Sequence, residues 1–261
     1  MKKIISVRIM VIVLALSNTS ILTAQTDSLP PRVFNWDSLT ETKTESRITR
    51  PIMEGSTTSL SHFEVHATTL LPGKEAQPRD THADVEELII IKEGMLKVMI
   101  NDTAKILGPG SIAFVMPGDE HVFNNNGNTN ATYYVFKYQS KLPMNIERAK
   151  QNGSLILNWN DLPMAKTEKG GRREFFNRPT SQLAKFEMHT TMLNTGQVSH
   201  DPHRHVEEEI ILILKGNVQM QIGDNFYKAS AGDLVFLSSG VLHALKNIGD
   251  VSCEYFAFQW R

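Results

Sequence analysis

One pattern runs through this chain twice, and that constrains its fold more than any other feature. Trp36-Asp-Ser-Leu39 is matched by Trp159-Asn-Asp-Leu162, and Lys43-Thr-Glu45 by Lys166-Thr-Glu168, each 123 positions further on. The same displacement links Phe63-Glu-Val-His66 to Phe186-Glu-Met-His189 and Gly73 to Gly196. Further along it becomes 122, pairing Glu87 with Glu209, Gly94 with Gly216, Gly110 with Gly232, Gly118 with Gly240 and His121 with His243. Two copies of about 105 residues are too long and too few for a solenoid, which stacks many short units. They read as two similar domains at 33–140 and 156–261, each large enough to bury its own core. The polar stretch between them carries a weak helical signal ended by Gly153.

Within each copy the apolar runs are short and rich in β-branched residues: Leu88-Ile-Ile-Ile91, Leu96-Lys-Val-Met-Ile100, Ile210-Ile-Leu-Ile-Leu214 and Val218-Gln-Met-Gln-Ile222. The last alternates strictly, as a half-buried strand does. Gly94, Asn101-Asp102, Pro109-Gly110, Gly223-Asp224 and Gly232-Asp233 place turns between them. No long amphipathic helix interrupts the pattern, so the expected class is all-β, each copy a sandwich or barrel of antiparallel strands.

Residues 1–24 carry the marks of an export signal: a basic start at Lys2, Lys3 and Arg8, the apolar run Met10 to Leu16, and Leu22-Thr-Ala24 as a cleavage site. The apolar run is too short to span a bilayer. A periplasmic or secreted location follows, with residues 25–32 as a loose leader. Removing the segment's three basic residues takes the net charge from −1 to −4. No basic block remains to mark nucleic acid or an anionic membrane as a partner. Cys253 is the single cysteine, so no intrachain disulfide can form, and stability must come from packing or metal.

The second copy contains a set of metal-ligand residues. His203 and His205 stand two apart, which on an extended strand points both imidazoles to one face. Glu209 opens the apolar strand that follows, and His243 lies in Gly240-Val-Leu-His243. A sheet rolled into a small barrel brings these strands together, so three imidazoles and a carboxylate converge on an N/O site for a divalent transition metal such as Mn, Fe, Ni or Zn. A His pair on a strand edge is often just solvated, and Glu207 and Glu208 can be read as a charged rim. The full spacing, with Gly216 and His243 in place, favours metal.

These residues resemble the cupins, whose first motif is G-x(5,6)-H-x-H-x(3,4)-E-x(6)-G and whose second is G-x(5)-P-x-G-x(2)-H-x(3)-N. The second copy matches both from Gly196 to Asn247, with Ser238 where proline is usual. The resemblance covers both copies and implies a two-domain type 2 cupin, or bicupin: two tandem jelly-roll (double-stranded β-helix) barrels, with His203, His205, Glu209 and His243 as ligands.

The first copy keeps the frame and alters the site. A displacement of 123 held as far as His82 sets Asp80 opposite His203 and His82 opposite His205, with Glu87 and His121 completing a second candidate set. If the displacement changes one step sooner, Thr81 and Ala83 take those places and the site is lost. Glu64, His66 and Thr68 repeat as Glu187, His189 and Thr191; period two puts each triplet on one strand face, where they could line the two pockets, but their persistence in the copy with the altered site favours a shared structural role. Tyr133, Tyr134, Phe136, Tyr138, Tyr255, Phe256, Phe258 and Trp260 are assigned to core or interface.

Bicupins of this kind include dioxygenases, decarboxylases, isomerases and ureidoglycine aminohydrolases. The resemblance therefore implies a metal-dependent enzyme acting on a small polar molecule in the C-terminal barrel. The alternative is a non-catalytic module that captures a sugar or small acid. Homodimerisation is left open.

Overall fold

The computed structural model describes residues 28–76 and 78–261; the export signal expected at 1–24 lies outside the described residues. The first copy contributes β1 (Arg32–Phe34), β2 (Thr42–Lys43), β3 (Arg47–Gly55), β4 (Leu60–Leu70), β5 (Glu86–Glu93), β6 (Leu96–Ile100), β7 (Thr103–Leu107), β8 (Ile112–Val115), β9 (His121–Asn124) and β10 (Ala131–Ser140). The helix α1 (Ile146–Asn152) joins the copies, capped by the Asn145 side chain accepting from Arg148 N at 3.0 Å and ended at Gly153. The second copy repeats the order as β11 (Leu155–Leu157), β12 (Ala165–Thr167), β13 (Gly170–Arg178), β14 (Phe186–Leu193), β15 (Glu208–Lys215), β16 (Asn217–Ile222), β17 (Asn225–Ser230), β18 (Leu234–Leu237), β19 (His243–Asn247) and β20 (Cys253–Trp260).

Each copy is a two-sheet jelly roll. One large sheet runs β11-β8-β5-β10-β4-β3-β2 and the other β1-β18-β15-β20-β14-β13-β12, and each faces a three-stranded sheet, β7-β6-β9 or β17-β16-β19. The first strand of each copy is exchanged: β1 pairs with β18 of the second copy, and β11 with β8 of the first. The repeated tryptophans and glycines are the hinge of this exchange. Gly110 and Gly232 sit at positive φ, and a side chain there would strike Trp159 and Trp36 respectively, each carried by the exchanged segment of the other copy. Asp233 accepts from Trp36 N at 2.8 Å, and Ser111 Oγ from Trp159 N at 3.0 Å. The leader is therefore docked over its described part, not loose: Leu29 N donates to Ser56 O at 2.8 Å and its side chain packs against the core.

The core has three compartments. Ile89, Ile91, Tyr133 and Val135 fill the first barrel, and Ile211, Ile213, Tyr255 and Ala257 belong to the core of the second. Alternate residues of the same strands, Leu88, Ile90, Tyr134 and Phe136 against Ile210, Leu212, Phe256 and Phe258, form a central layer between the two large sheets. Strands buried on both faces read as unbroken apolar runs, which is why Leu88–Ile91 and Ile210–Leu214 lack alternation. Within that layer Phe136 and Phe258 meet edge to face at 5.1 Å.

Two buried carboxylates latch the copies reciprocally. Glu86 accepts from the Tyr138 hydroxyl at 2.6 Å and, across the interface, from Thr180 Oγ1, Ser181 Oγ and Gln182 N at 2.7, 2.5 and 3.1 Å. Glu208 accepts from Thr57 Oγ1, Thr58 N, Ser59 N and Ser59 Oγ of the first copy at 2.7, 2.9, 3.0 and 2.5 Å. Glu208, read from sequence as a charged rim, is thus 1% exposed and structural. A buried carboxylate is tolerated when charge-assisted donors replace its water.

Candidate metal centre

The loop between β14 and β15 runs back across the barrel mouth and is tied to β19 by an isolated antiparallel bridge, His203 with His243. That bridge carries His203 to the second-motif histidine, and Gly240 N donating to His205 O at 2.8 Å fixes the following turn. Glu209 projects from β15 beside them, 5% exposed.

The backbone chooses which ring nitrogen faces inward. His205 Nδ1 donates to Glu207 O at 2.9 Å and His243 Nδ1 to Val241 O at 3.0 Å, so both Nε2 lone pairs aim at the centre. Each Nε2 lies 3.3 Å from Glu209 Oε2. His243 Nε2 is nonetheless buried without a hydrogen-bond partner, being misaligned with that carboxylate, and His203 Nδ1 is also buried without one. Buried ring nitrogens left without a partner beside a carboxylate, as His243 Nε2 and His203 Nδ1 are here, are what a shared cation satisfies.

The donors form two overlapping trios, each with its atoms within 4.8 Å of one another: His205, Glu209 and His243, and His200, His203 and His243. All four residues expected from the sequence therefore meet around His243. His200 was missed, since it falls outside the motif spacing. Its ring meets that of His203 edge to face at 4.0 Å.

Electrostatics follow from this enclosure. Burial alone would raise the Glu209 carboxyl, but the close contacts and charge of His205 and His243 outweigh it and hold the group at about 2. His205 is raised, chiefly by its contact with Glu209. Burial is the first cause that lowers His203 and His200, with neighbouring imidazoles adding to it. The set thus presents an ionised Glu209 carboxylate, with His203 and His200 shifted toward the neutral imidazole, the forms that bind metal.

The centre opens into a cavity of about 520 Å³ whose wall includes His189, Thr191, Tyr255, Gln259, Lys169 and Arg172. His189 and Thr191 come from the repeated triplet, and of the two readings left open by the sequence the fold places these two on the cavity wall. Successive in-facing residues of β14 arrive there because Phe186 and Met188 face the central layer. His189 is 6% exposed, its Nδ1 lacks a hydrogen bond, and burial followed by Arg172 pushes its value down.

The first copy settles the alignment that the sequence left open. The bridge Asp80 with His121 repeats His203 with His243, and Gly118 N donating to His82 O repeats Gly240 N to His205 O. Asp80, His82, Glu87 and His121 therefore hold the four equivalent positions, not Thr81 and Ala83. His121 Nε2 lies 2.9 Å from Glu87 Oε2, and His82 Nε2 lies 3.6 Å from Asp80 Oδ2 and 3.8 Å from Glu87 Oε2.

Comparison with known proteins agrees with this architecture. The family described as Cupin domain matches twice, at residues 67–137 and 189–258. No curated protein matches the sequence. Among solved structures, protein Ylba from E. coli superposes with a TM-score of 0.68 at 16% identity, covering 92% of this chain and 95% of that one. AerE from Microcystis aeruginosa gives 0.66 at 16%, covering 85% and 97%. Oxalate decarboxylase from Lactobacillus farciminis, a formate complex, gives 0.67 at 12%, covering 89% and 87%. At these identities the likeness shows the fold alone.

Proposed function

The chain belongs to the cupin domain family, and from that premise we propose that its C-terminal barrel is the working centre of an exported, metal-dependent enzyme acting on a small, polar, carboxylate-bearing molecule. The observation that carries this reading is the gathering of His203, His205, Glu209 and His243, with His243 Nε2 and His203 Nδ1 left without a hydrogen-bond partner, in the wall of a cavity of about 520 Å³. Such a volume suits a small metabolite and not a polymer. A divalent ion there supplies Lewis-acid polarisation or activation of a bound small molecule through its remaining coordination positions.

The chain's own residues set the rest. Lys169, donating to Ser199 O at 3.0 Å, brings positive charge to the cavity wall and favours an anionic group, while Arg172 on the same wall is already paired with Glu174 and Glu187. His189, with a free ring nitrogen, is placed to accept or deliver a proton to substrate atoms away from the metal ligands. Apolar Ile211, Leu245 and Ala257 exclude bulk water on the same wall. Structural neighbours that include an oxalate decarboxylase in complex with formate support a carboxylate ligand. The basic start and apolar run within residues 1–24 support export.

The test is metal analysis of protein purified without chelators, followed by a thermal-shift screen of small mono- and dicarboxylates and then turnover assays on those that stabilise. One ion per chain and a carboxylate-dependent shift are expected. His205→Ala should lose the ion and turnover while keeping the strand-rich circular dichroism. A chain that binds no divalent ion at micromolar concentration refutes the reading, and carboxylate binding without turnover of any stabilising ligand reduces it to a capture module.

A further inference from the structure

We propose that the N-terminal barrel is a metal centre in which the cation has been replaced by the chain itself, the Lys137 ammonium standing where the C-terminal barrel takes a metal ion. The inference rests on the metal reading of the C-terminal barrel and extends it to a copy whose Asp80, His82 and His121 ligand atoms also lie within 4.8 Å of one another but share their space with an ammonium.

The register makes the comparison position by position. In the first copy Lys137 on β10 lies between Glu64 of β4 and Glu87 of β5; in the second, Gln259 on β20 lies between Glu187 of β14 and Glu209 of β15. Both rows therefore read Glu–X–Glu across the barrel wall. Where X is glutamine, the row supplies no positive charge of its own, and the convergent histidines are left for an ion. Where X is lysine, the compensating charge is covalently attached.

The contacts of Lys137 confirm where that charge goes. Its Nζ lies 3.8 Å from Glu87 Oε1 and 3.4 Å from His82 Nε2. An ammonium has three donors and no acceptor, so His82 Nε2 must be the acceptor in that contact. The lone pair that His205 turns toward the metal position is thus already engaged at His82. The frame around it is otherwise intact: Glu87 Oε2 and His121 Nε2, 2.9 Å apart, are both buried and too poorly aligned to bond one another.

Packing differs in both directions: equivalent interior positions carry Phe123 for Leu245, Val135 for Ala257 and Lys137 for Gln259 in the first barrel, but Met220 for Val98, Leu237 for Val115 and Val235 for Ala113 in the second. An ammonium held beside Glu87 and His82 supplies from within the chain a positive charge that the second barrel lacks at the equivalent Gln259.

The experiment uses full-length protein freed of metal and then titrated with Mn²⁺, bound ion being counted by loss of the free-ion electron paramagnetic resonance signal and by elemental analysis. Wild type should bind one ion per chain. Lys137→Gln, which installs the C-terminal residue, should bind two, the second through Asp80, His82, Glu87 and His121. Gln259→Lys should bind none, with circular dichroism unchanged. Two ions in wild type, or no gain of an ion in folded Lys137→Gln, overturns the proposal. If Lys137→Gln does not fold, Gln259→Lys decides: retention of a full ion refutes the idea that a lysine at this position displaces metal. Zero ions in wild type would instead refute the C-terminal reading, and Lys137→Gln alone would then judge the N-terminal one, failing if it too binds none.

Discussion

Removing the Glu86 carboxylate tests whether the two barrels are held in register by buried charge or merely by apolar area. In Glu86→Ala four donors lose their acceptor: the Tyr138, Thr180 and Ser181 hydroxyls and Gln182 N. All four residues are at most 5% exposed, so water cannot readily replace the carboxylate. Each orphaned donor would cost about 1–3 kcal/mol, but hydroxyls reorient and the effects are not additive. Thr180 Oγ1 also still accepts from Leu183 N at 3.0 Å. Breaking a buried charged network typically costs about 3–5 kcal/mol, and about 4 kcal/mol is the expectation here. At ~2–4 °C per kcal/mol for a chain of this size, the melting temperature should fall by about 10 °C. Glu86→Gln, which keeps one acceptor but turns an amide donor toward other donors, should lose about half as much. The assay is urea unfolding at neutral pH in the presence of chelator, followed by both circular dichroism and tryptophan fluorescence, with Glu147→Gln as an exposed control that changes nothing. A loss of less than about 1 kcal/mol for Glu86→Ala would show that the carboxylate contributes little beyond its neighbours, and the latch would have no energetic content.

Three further outcomes follow from the site. Adding metal at about a hundred times its dissociation constant should stabilise the protein by about 2.7 kcal/mol, and chelation should reverse a rise of roughly 5–10 °C in melting temperature; an unchanged melting temperature would argue against an ordered ion. His200→Ala should weaken Mn²⁺ binding by about tenfold while leaving one ion per chain at saturation, as expected for an auxiliary donor; unchanged affinity in an isotherm would make His200 a mouth residue only. His189 is held below its ordinary value of 6.5 by burial and Arg172, so as pH falls through 6.5 the unfolded chain takes up a proton that the folded one refuses, and stability falls. His121 and His205, shifted upward, contribute in the opposite sense, their stabilisation being present at low pH and lost as pH rises. The His189 effect is therefore read as a difference: in chelated protein, the stability advantage of wild type over His189→Gln should shrink from about pH 7.5 to 5.5, and a constant gap would refute the assignment.

The sequence by itself determined the duplication and the all-β class, and it picked out four C-terminal residues that the fold gathers around His243, because these are properties of local period and spacing. Val218–Ile222 alternates and forms β16 within Asn217–Ile222, while His203 and His205 share a face because a strand repeats every two residues. Even the ambiguity at Asp80 and His82 was a single-residue slip, which a sequence pattern cannot resolve and the backbone bridge to His121 does. Only the tertiary structure decided the relations that join distant segments. Nothing local in Arg32–Phe34 says that it will pair with β18, two hundred residues away, instead of its own barrel. Glu208 and Glu209 are chemically identical neighbours, yet alternation of the strand turns one into an interface latch and the other toward the histidines of the cavity. His200 and His189 reach the cavity from a loop and from a different strand, and Lys137 meets His82 only because β10 is laid beside β5. Each of these depends on which face of a strand is inward and which strand lies next to it, a choice made by burial of apolar area over the whole chain and written in no short stretch of it.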